Sequence, residues 1–594
     1  MQGHVTLVLA YGLIPWFFLS VSHFLERPTG RTAMALGWLV AAFVLIGHPQ
    51  PTYYTLLCGV AWGGTSLVVG AASRHRWKAV VWSLIAAMLA LCLAAIQLLP
   101  TLELMADGAA TSERGSVEYA GTIALAPVDL LRLAVPDCFG NPLRGLPEFQ
   151  PPDFCHEKYG YLGWAVPLLA LYGLTRAKVR RWELGVALGC VVLLVIALGN
   201  ATAGFAVLGR NLPGLCLFRC PGRVLAVVSC LFPLVAATGL DAILRRRPMA
   251  AGRQYAAVAF AIWVIASFFL YHMLYEAEQF PWERYRAFVG EHLVWTWCGG
   301  TLTGLATVVT LLVCRSRSGS VQAKLASVLI VALADLWNAN GSLVQLLPDE
   351  SPTMPPEVRL VQPPIRFAHL PKSSSERGLG MRYSKLVPTA VRAHRSMIGT
   401  NEGGVVPAAV ERLYQAVLHH EDRRDEHRLL AVVGCQWVCT GAGGEWHSVE
   451  SSLPRLRFLP GSKSALAAVP IEDLNPADWP DRQGTSRVLS ETSQSLVVEW
   501  EAAEPGHFIV ADTAYHGWYF AVDGVPNPTT TIHGVFRSTA VPAGHHRIEM
   551  TYSPSSFRWG VLSSVLGLVW SLLLWRPRRV FDGLEGTLPP MCAR

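Results

Sequence analysis

The chain is 594 residues long, 52% hydrophobic and only 15% charged, with a mean hydropathy of +0.34. Soluble domains carry about 25% charged residues, so much of this chain belongs in a solvent that requires no charge, which excludes an ordinary soluble enzyme. The formal net charge of +7 does not build a polyanion-binding face, because the basic residues sit in short loops between apolar runs, and nucleic acid is excluded as a partner.

Apolar runs predict helices near 5–25, 33–48, 53–72, 79–99, 161–175, 182–199, 223–244, 255–275, 293–314, 323–340 and 559–575. That makes about eleven spans, since a helix rising ~1.5 Å per residue crosses a ~30 Å hydrocarbon core in roughly 20 residues. The connections alternate in character. One set is short and basic: Arg27 and Arg31; Arg74, Arg76 and Lys78; Arg176, Lys178, Arg180 and Arg181; Arg245 to Arg247; Arg315, Arg317 and Lys324; Arg576, Arg578 and Arg579. The other set is tight, as at Gly47-His48-Pro49-Gln50, or long and mixed in charge. The positive-inside rule puts the basic set, and the C-terminus, in the cytoplasm. An odd number of spans then leaves Met1 outside with no cleavable signal peptide to carry it. The expectation is that relatives possess N-terminal spans upstream of this start.

The predicted organisation is a transmembrane helical domain over 1–340, with extracytoplasmic loops 100–160, 200–222 and 276–292. An extracytoplasmic domain follows over 341–558, then a last span over 559–576 and a cytoplasmic tail over 577–594. From about 345 prolines and charges become common, and short β-type segments appear between turn residues. His507-Phe508-Ile509-Val510 and Trp518–Val522 are apolar strands, the second closed by an Asp523-Gly524 turn. Residues 547–552 alternate polar and apolar, the period-2 pattern of a half-buried strand. The expected fold is therefore a polytopic α-helical membrane protein with a C-terminal domain that is mixed α/β over 345–484 and a β-sandwich over 485–557.

Thirteen cysteines show neither CxxC pairs nor a Cys/His spacing for zinc. An oxidising exterior would favour a Cys138–Cys155 disulfide, with Cys216–Cys220 and Cys435–Cys439 as weaker pairs that free thiols explain equally well.

Polar residues expensive to place at a membrane gather on the non-cytoplasmic side. They are His48 and Gln50 in a tight hairpin, Glu103 after the fourth span, Glu113 and Arg114, then Asp137, Asn141, Glu157, Lys158 and Tyr159. Arg219 and Arg223 open the seventh span. As a group they suit a cavity where carboxylates activate an acceptor or bind a divalent metal, while arginines hold a phosphate through a planar, permanently charged fork. Taken singly, turn-building and headgroup pairing explain each of them. Asp335, near the end of the tenth span, reads first as a helix-end hydrogen bond. No P-loop, GxGxxG, HExxH or GxSxG occurs in a credible setting.

Gly47-His48-Pro49-Gln50, Gln97-Leu98-Leu99-Pro100-Thr101 with Glu103, and Pro136-Asp137 before Phe139-Gly140-Asn141-Pro142 together resemble the bacterial YfhO-like membrane proteins. So do Leu212-Pro213-Gly214 with Leu217-Phe218-Arg219, Gly517-Trp518 with Val522-Asp523-Gly524, and Gly534-Val535-Phe536-Arg537 with Val541–His545. The resemblance implies a GT-C-type glycosyltransferase of the plasma membrane. It would transfer a sugar from a polyprenyl-phosphate donor to a cell-envelope glycopolymer, with inversion. Such enzymes usually carry the catalytic acid in the first outer loop, upstream of Gly3-His4-Val5. Within this chain the resemblance leaves Glu103, Asp137 and Glu157 as acid or base. Arg114, Arg219 and Arg223, with His48, Gln50 and Asn141, remain for the substrate. The competing expectation is a flippase component or a glycan-binding scaffold without catalysis.

Overall fold

The computed structural model describes residues 5–69, 76–107, 115–133, 135–139, 160–175, 179–245, 282–293, 299–315, 320–340, 366–370, 396–398, 423–440, 445–479 and 484–574. These are mostly helical, with a sheet domain towards the C-terminus. The helices are α1 (Val5–Glu26), α2 (Gly30–Leu45), α3 (Pro49–Val69), α4 (Arg76–Asp107), the single turn α5 (Val117–Ala120), α6 (Ala165–Leu174) and α7 (Arg181–Ala197). They continue as α8 (Ala203–Asn211), α9 (Leu225–Leu244), α10 (Trp282–Leu293), α11 (Gly299–Arg315), α12 (Val321–Asn340), α13 (Arg423–Val432) and α14 (Ser555–Leu574).

Every apolar run coincides with a helix except 255–275, which lies outside the described residues. Five stretches are long and apolar enough to cross a membrane: Thr6–Glu26, Arg76–Ala106, Pro221–Leu244, Val321–Ala339 and Ser555–Leu574. Gly30–Leu45, Ala165–Leu174 and Leu302–Cys314 are apolar but shorter. At ~1.5 Å per residue they fall short of a ~30 Å core. The expectation of eleven full spans therefore contracts to five candidate spans among the described residues.

The chain divides into two compact units, one of Val5–Glu103 with Ser553–Arg594 and one of Leu104–Tyr552 with Met1–His4. The first unit joins helices from opposite ends of the sequence. Gly560, Ser564, Gly567 and Ser571 repeat along α14 at the spacing of one helix face. A Cβ on Gly560 would stand 2.7 Å from the carbonyl oxygen of Ala95 on α4, and one on Gly567 3.1 Å from the amide nitrogen of Leu93. Ser564 Oγ donates to the Leu93 carbonyl at 3.0 Å and accepts from the Ile96 amide at 3.1 Å, while Ser571 Oγ accepts from Trp38 Nε1 of α2 at 3.0 Å. Helices in lipid gain little by expelling water from one another, so close backbone approach and interhelical hydrogen bonds of this kind hold them together.

In the second unit α6 and α9 meet most tightly. Gly173 faces Gly239, and a Cβ on Gly239 would lie 1.8 Å from the carbonyl oxygen of Leu169. Ala165, Leu169, Ala170, Val235, Ala236 and Ile243 bury their side chains there, joined by Cys314 of α11 and Val328 of α12.

The sheet domain has two parts. β1 (Arg366–Leu370), β2 (Ser396–Ile398), β3 (Trp437–Thr440) and β4 (Glu445–Ser448) form a sheet of order β2-β1-β3-β4, with β1 parallel to both β2 and β3. The second part is an antiparallel sandwich. β6 (Gly484–Glu491), β7 (Ser495–Ala502), β9 (Trp518–Val522), β10 (Val525–Asn527) and β13 (Gly544–Tyr552) make a sheet of order β10-β9-β13-β7-β6. β5 (Leu456–Pro460), β8 (Gly506–Thr513), β11 (Thr530–Ile532) and β12 (Phe536–Val541) make the other, of order β11-β12-β8-β5. The sandwich thus starts before 485, because Phe458 pairs with Phe508 and brings β5 into it.

Phe508 and Val510 point between the sheets towards Trp500, Phe520 and Ile548. Ile509 and Ala511 point the other way, onto Leu429–Val433, Ile471, Leu474 and Trp479. Both faces of β8 are covered, which explains why its apolar run does not alternate. The Asp523-Gly524 turn is present, with both residues at positive φ, the geometry that closes a two-residue hairpin between paired Val522 and Val525.

His533, buried at φ +56°, locks the covering segment to the sheet, its Nδ1 donating to the Val469 carbonyl at 2.8 Å. Its ring lies edge-on to Trp479 and Phe536. Burial, with repulsion from Arg457 and against the pull of the Val469 bond, holds its pKa below the ordinary 6.5. The unfolded chain therefore takes up a proton first as the pH falls. This contribution to stability is complete above about pH 6.5 and is lost below it. The unfolding midpoint of the sheet domain, followed in the full chain, is expected to drop between about pH 7.5 and 5.5. The drop should shrink in His533→Phe; an unchanged pH slope in that variant would refute the assignment.

Candidate functional site

The loop that follows α4 is stitched to two distant parts of its own unit. Ser116 caps α5 by accepting from the Tyr119 amide at 3.0 Å. Asn200 Nδ2 donates to the Glu118 carbonyl at 3.0 Å, the Leu125 amide donates to the Ala197 carbonyl at 3.0 Å, and the Cys220 amide donates to the Thr122 carbonyl at 3.1 Å. Gly121 leaves room for this crossing, because a Cβ there would stand 2.0 Å from Asn200 Oδ1 and push that side chain aside. Ile123 and Cys220, one on each side of it, are held at φ +58° and +60°. For a β-branched residue that is a strained conformation, kept only where its surroundings over-determine it.

The stitched loop leads into a 3-10 helix, Pro127–Leu133. Pro127 supplies a first residue with no amide to satisfy. Asp129 Oδ2 accepts from the Ala126 amide at 2.9 Å, and Asp129 Oδ1 lies 3.5 Å from Arg132 Nε. Both side chains are buried, and the Arg132 guanidinium lies 5.0 Å from the Phe139 ring centre. Asp137 and Cys138 are buried beside them. Burial pushes the Cys138 thiol up to about 12, with Arg132 pulling it down and Asp129 and Asp137 pushing it further up. One thiol therefore senses two carboxylates and a guanidinium. It stays protonated and serves as packing. α10 closes the cluster from below in sequence: Tyr285 Oη donates to the Cys138 carbonyl at 3.1 Å, and its ring lies 5.3 Å from that of Phe139.

This cluster adjoins the start of α9. A Cβ at Gly160 would lie 3.2 Å from Leu133 and 2.7 Å from Leu225. Arg223 stands two residues before Leu225, in the 3-10 turn Pro221–Val224, and both Arg219 and Arg223 are half-buried.

The remaining sequence candidates fall elsewhere. His48, Gln50 and Glu103 belong to the other unit. There Gln50 is buried and donates to Tyr54 Oη at 3.2 Å, Thr52 Oγ1 donates to the His48 carbonyl at 3.0 Å, and Glu103 sits half-exposed near the end of α4. Arg114, Asn141 and Glu157 lie outside the described residues. Asp129 and Arg132 are not legible as site residues in the sequence, where they look like an ordinary i, i+3 surface pair. Pro127, two residues before Asp129, is the one local signal of a helix start there.

Asp335 is a helix-end anchor. Its Oδ1 accepts from Tyr161 Oη at 2.7 Å and its Oδ2 from the Trp164 amide at 2.8 Å, at the entry to α6. Asp335→Ala removes the acceptor of both part-buried donors and is expected to cost ~1–3 kcal/mol, seen as a lower thermal midpoint of the purified protein, with Asp335→Asn in between.

The Cys216–Cys220 disulfide is not formed. Cys216 Sγ contacts the Gly209 carbonyl at 3.4 Å, and neither it nor Cys220 is in a disulfide. Cys138 and Cys435 are buried and likewise outside any disulfide. Cys155 lies outside the described residues. Among the described residues no three His, Cys, Asp or Glu side chains converge as a metal-ligand set.

No family model, curated protein or solved structure matches this chain.

Proposed function

We propose that this membrane protein is a GT-C-type glycosyltransferase, similar to YfhO-like proteins, that moves a sugar from a polyprenyl-phosphate donor to a cell-envelope acceptor. The reaction takes place at the extracytoplasmic face of the helical bundle, whose basic loops and C-terminus are cytoplasmic. The observation that carries the reading is the burial of Asp137 beside the oriented pair Asp129–Arg132, next to the start of α9 and its two arginines. A buried carboxylate at the mouth of an apolar bundle is costly, and function is the usual reason for keeping one.

In this reading Asp137 is the base. It accepts the proton of the acceptor hydroxyl as that oxygen attacks the anomeric carbon. The bond from that carbon to the phosphate oxygen breaks, and polyprenyl phosphate leaves with the electron pair. Arg132, Arg219 and Arg223 hold the negative charge that grows on the phosphate, the task for which a guanidinium fork is suited. Asp129 touches no reacting atom and positions Arg132. A lipid-borne donor accords with the lack of a nucleotide-binding motif.

The test is sugar transfer by purified protein in nanodiscs, from a radiolabelled polyprenyl-phosphate donor pool to an envelope acceptor. Transfer that needs Asp137 supports the reading. No transfer with any donor in a broad panel would move the assignment to the flippase or glycan-binding scaffold.

A further inference from the structure

We propose that β6 is an interaction edge whose partner is β6 of a second copy of this chain. β6 is the outer strand of the five-stranded sheet, hydrogen-bonded to β7 on one side. Ser486 to Glu491 are all exposed, Val488 and Leu489 among them at 44% and 40%. Such an edge presents a row of backbone donors and acceptors with no partner strand among the described residues. Proteins close these rows with proline, with very short strands, with charged side chains, with bulges or with a covering element.

The other sandwich edges are closed in those ways. β10 and β11 are three residues each, and β10 contains Pro526. β5 ends in Pro460 and is buried from Arg457 to Pro460. β6 runs for eight residues without proline and, among the described residues, without a covering element. Its one irregularity is a bulge: the register slips between Val488 and Ser490, which leaves Leu489 without a cross-strand neighbour on β7.

The charge pattern selects the partner. β6 carries one cation, Arg487, and one anion, Glu491, placed symmetrically about Leu489. Antiparallel pairing of two copies about Leu489 sets each Arg487 opposite the second copy's Glu491, each Val488 opposite a Ser490, and Leu489 opposite itself. Directly opposed residues of an antiparallel pair stand ~4.5–5.5 Å apart at Cβ, where opposite charges attract and like charges are penalised. In-register parallel pairing would oppose arginine to arginine. Glu491 also pairs with Arg455 inside its own copy, but its side chain remains 39% exposed and open to a second guanidinium. Anchoring in one membrane raises the effective concentration of the two strands, so a short contact suffices.

The experiment uses the full chain in proteoliposomes, carrying Leu489→Cys and treated with a mild oxidant. The wild type controls for the thirteen native cysteines, and Val525→Cys, 66% exposed on the opposite edge strand, controls for random collision. A covalent dimer should form several-fold above both controls. Adding Arg487→Glu should lower it several-fold, and Arg487→Lys should leave it in place. Dimer yield from Leu489→Cys no greater than from Val525→Cys overturns the proposal, as does a yield that Arg487→Glu leaves unchanged. None of these readouts depends on sugar transfer, so the edge and the glycosyltransferase reading fail separately.

Discussion

Asp137→Asn is expected to lower the rate of sugar transfer ~10²–10⁴-fold, the range that loss of a general base produces. The substitution keeps the shape of the side chain and removes its basicity, so the buried cluster around Arg132 and Cys138 should persist and the thermal midpoint should hardly move. Asp129→Asn distinguishes base from positioning residue. Asp129 accepts from the Ala126 amide and lies 3.5 Å from Arg132, so its loss should loosen the guanidinium. The expected signature is weaker donor binding, seen as a raised KM, with a smaller fall in kcat than Asp137→Asn gives. Initial rates over a range of donor concentration measure both. An Asp137→Asn enzyme with wild-type rates would remove Asp137 as the base and pass that role to Glu103 or Glu157.

Gly239→Ala should produce the largest loss of stability of any single methyl added to the described helices. Two effects oppose each other at this position. Alanine favours a helix over glycine by ~1 kcal/mol. Against that, the new Cβ would lie 1.8 Å from the Leu169 carbonyl oxygen and 2.9 Å from the Gly173 amide nitrogen, both backbone atoms that no rotamer change can move. α6 and α9 must part, and overpacking of this kind typically costs ~1–3 kcal/mol and occasionally more. The clash wins. Gly185→Ala on α7 is the matched control, since nothing lies within 4 Å of its Cβ position. It should keep the propensity gain and raise the thermal midpoint slightly. Fluorescence-detected thermal unfolding of the two variants in the same detergent reads the difference, and equal midpoints would show that the crossing yields.

Much of the helical layout is legible in the sequence because the signal is local. A run of apolar residues can satisfy its backbone in lipid only as a helix, so α1 to α4, α9, α12 and α14 fall where hydropathy places them. The hairpin at Asp523-Gly524 is equally local, since few residues other than Asn, Asp and Gly tolerate its positive φ. Hydropathy alone does not set helix length. α6 ends at ten residues, its entry fixed by the reach of Asp335 on α12 to the Trp164 amide, a contact across 171 positions.

The candidate site was less legible for the same reason. Asp137 stands out in the sequence as a charge near a membrane surface, but Asp129 and Arg132 look like a solvated pair until the fold buries both and sets Arg132 over Phe139. Cys216 and Cys220 suit a disulfide by spacing. The fold instead turns the Cys216 thiol to the Gly209 carbonyl.

The sequence by itself determined the solvent, the positions of most helices and the β-character of the C-terminal domain, because hydropathy, periodicity and turn chemistry act over a few residues. Only the tertiary structure decided that β5 joins the sandwich, that the small-residue face of α14 seats on α4, and that two carboxylates and a guanidinium share one buried pocket of charge. Those arrangements depend on contacts between residues tens to hundreds of positions apart, and local composition carries no record of them.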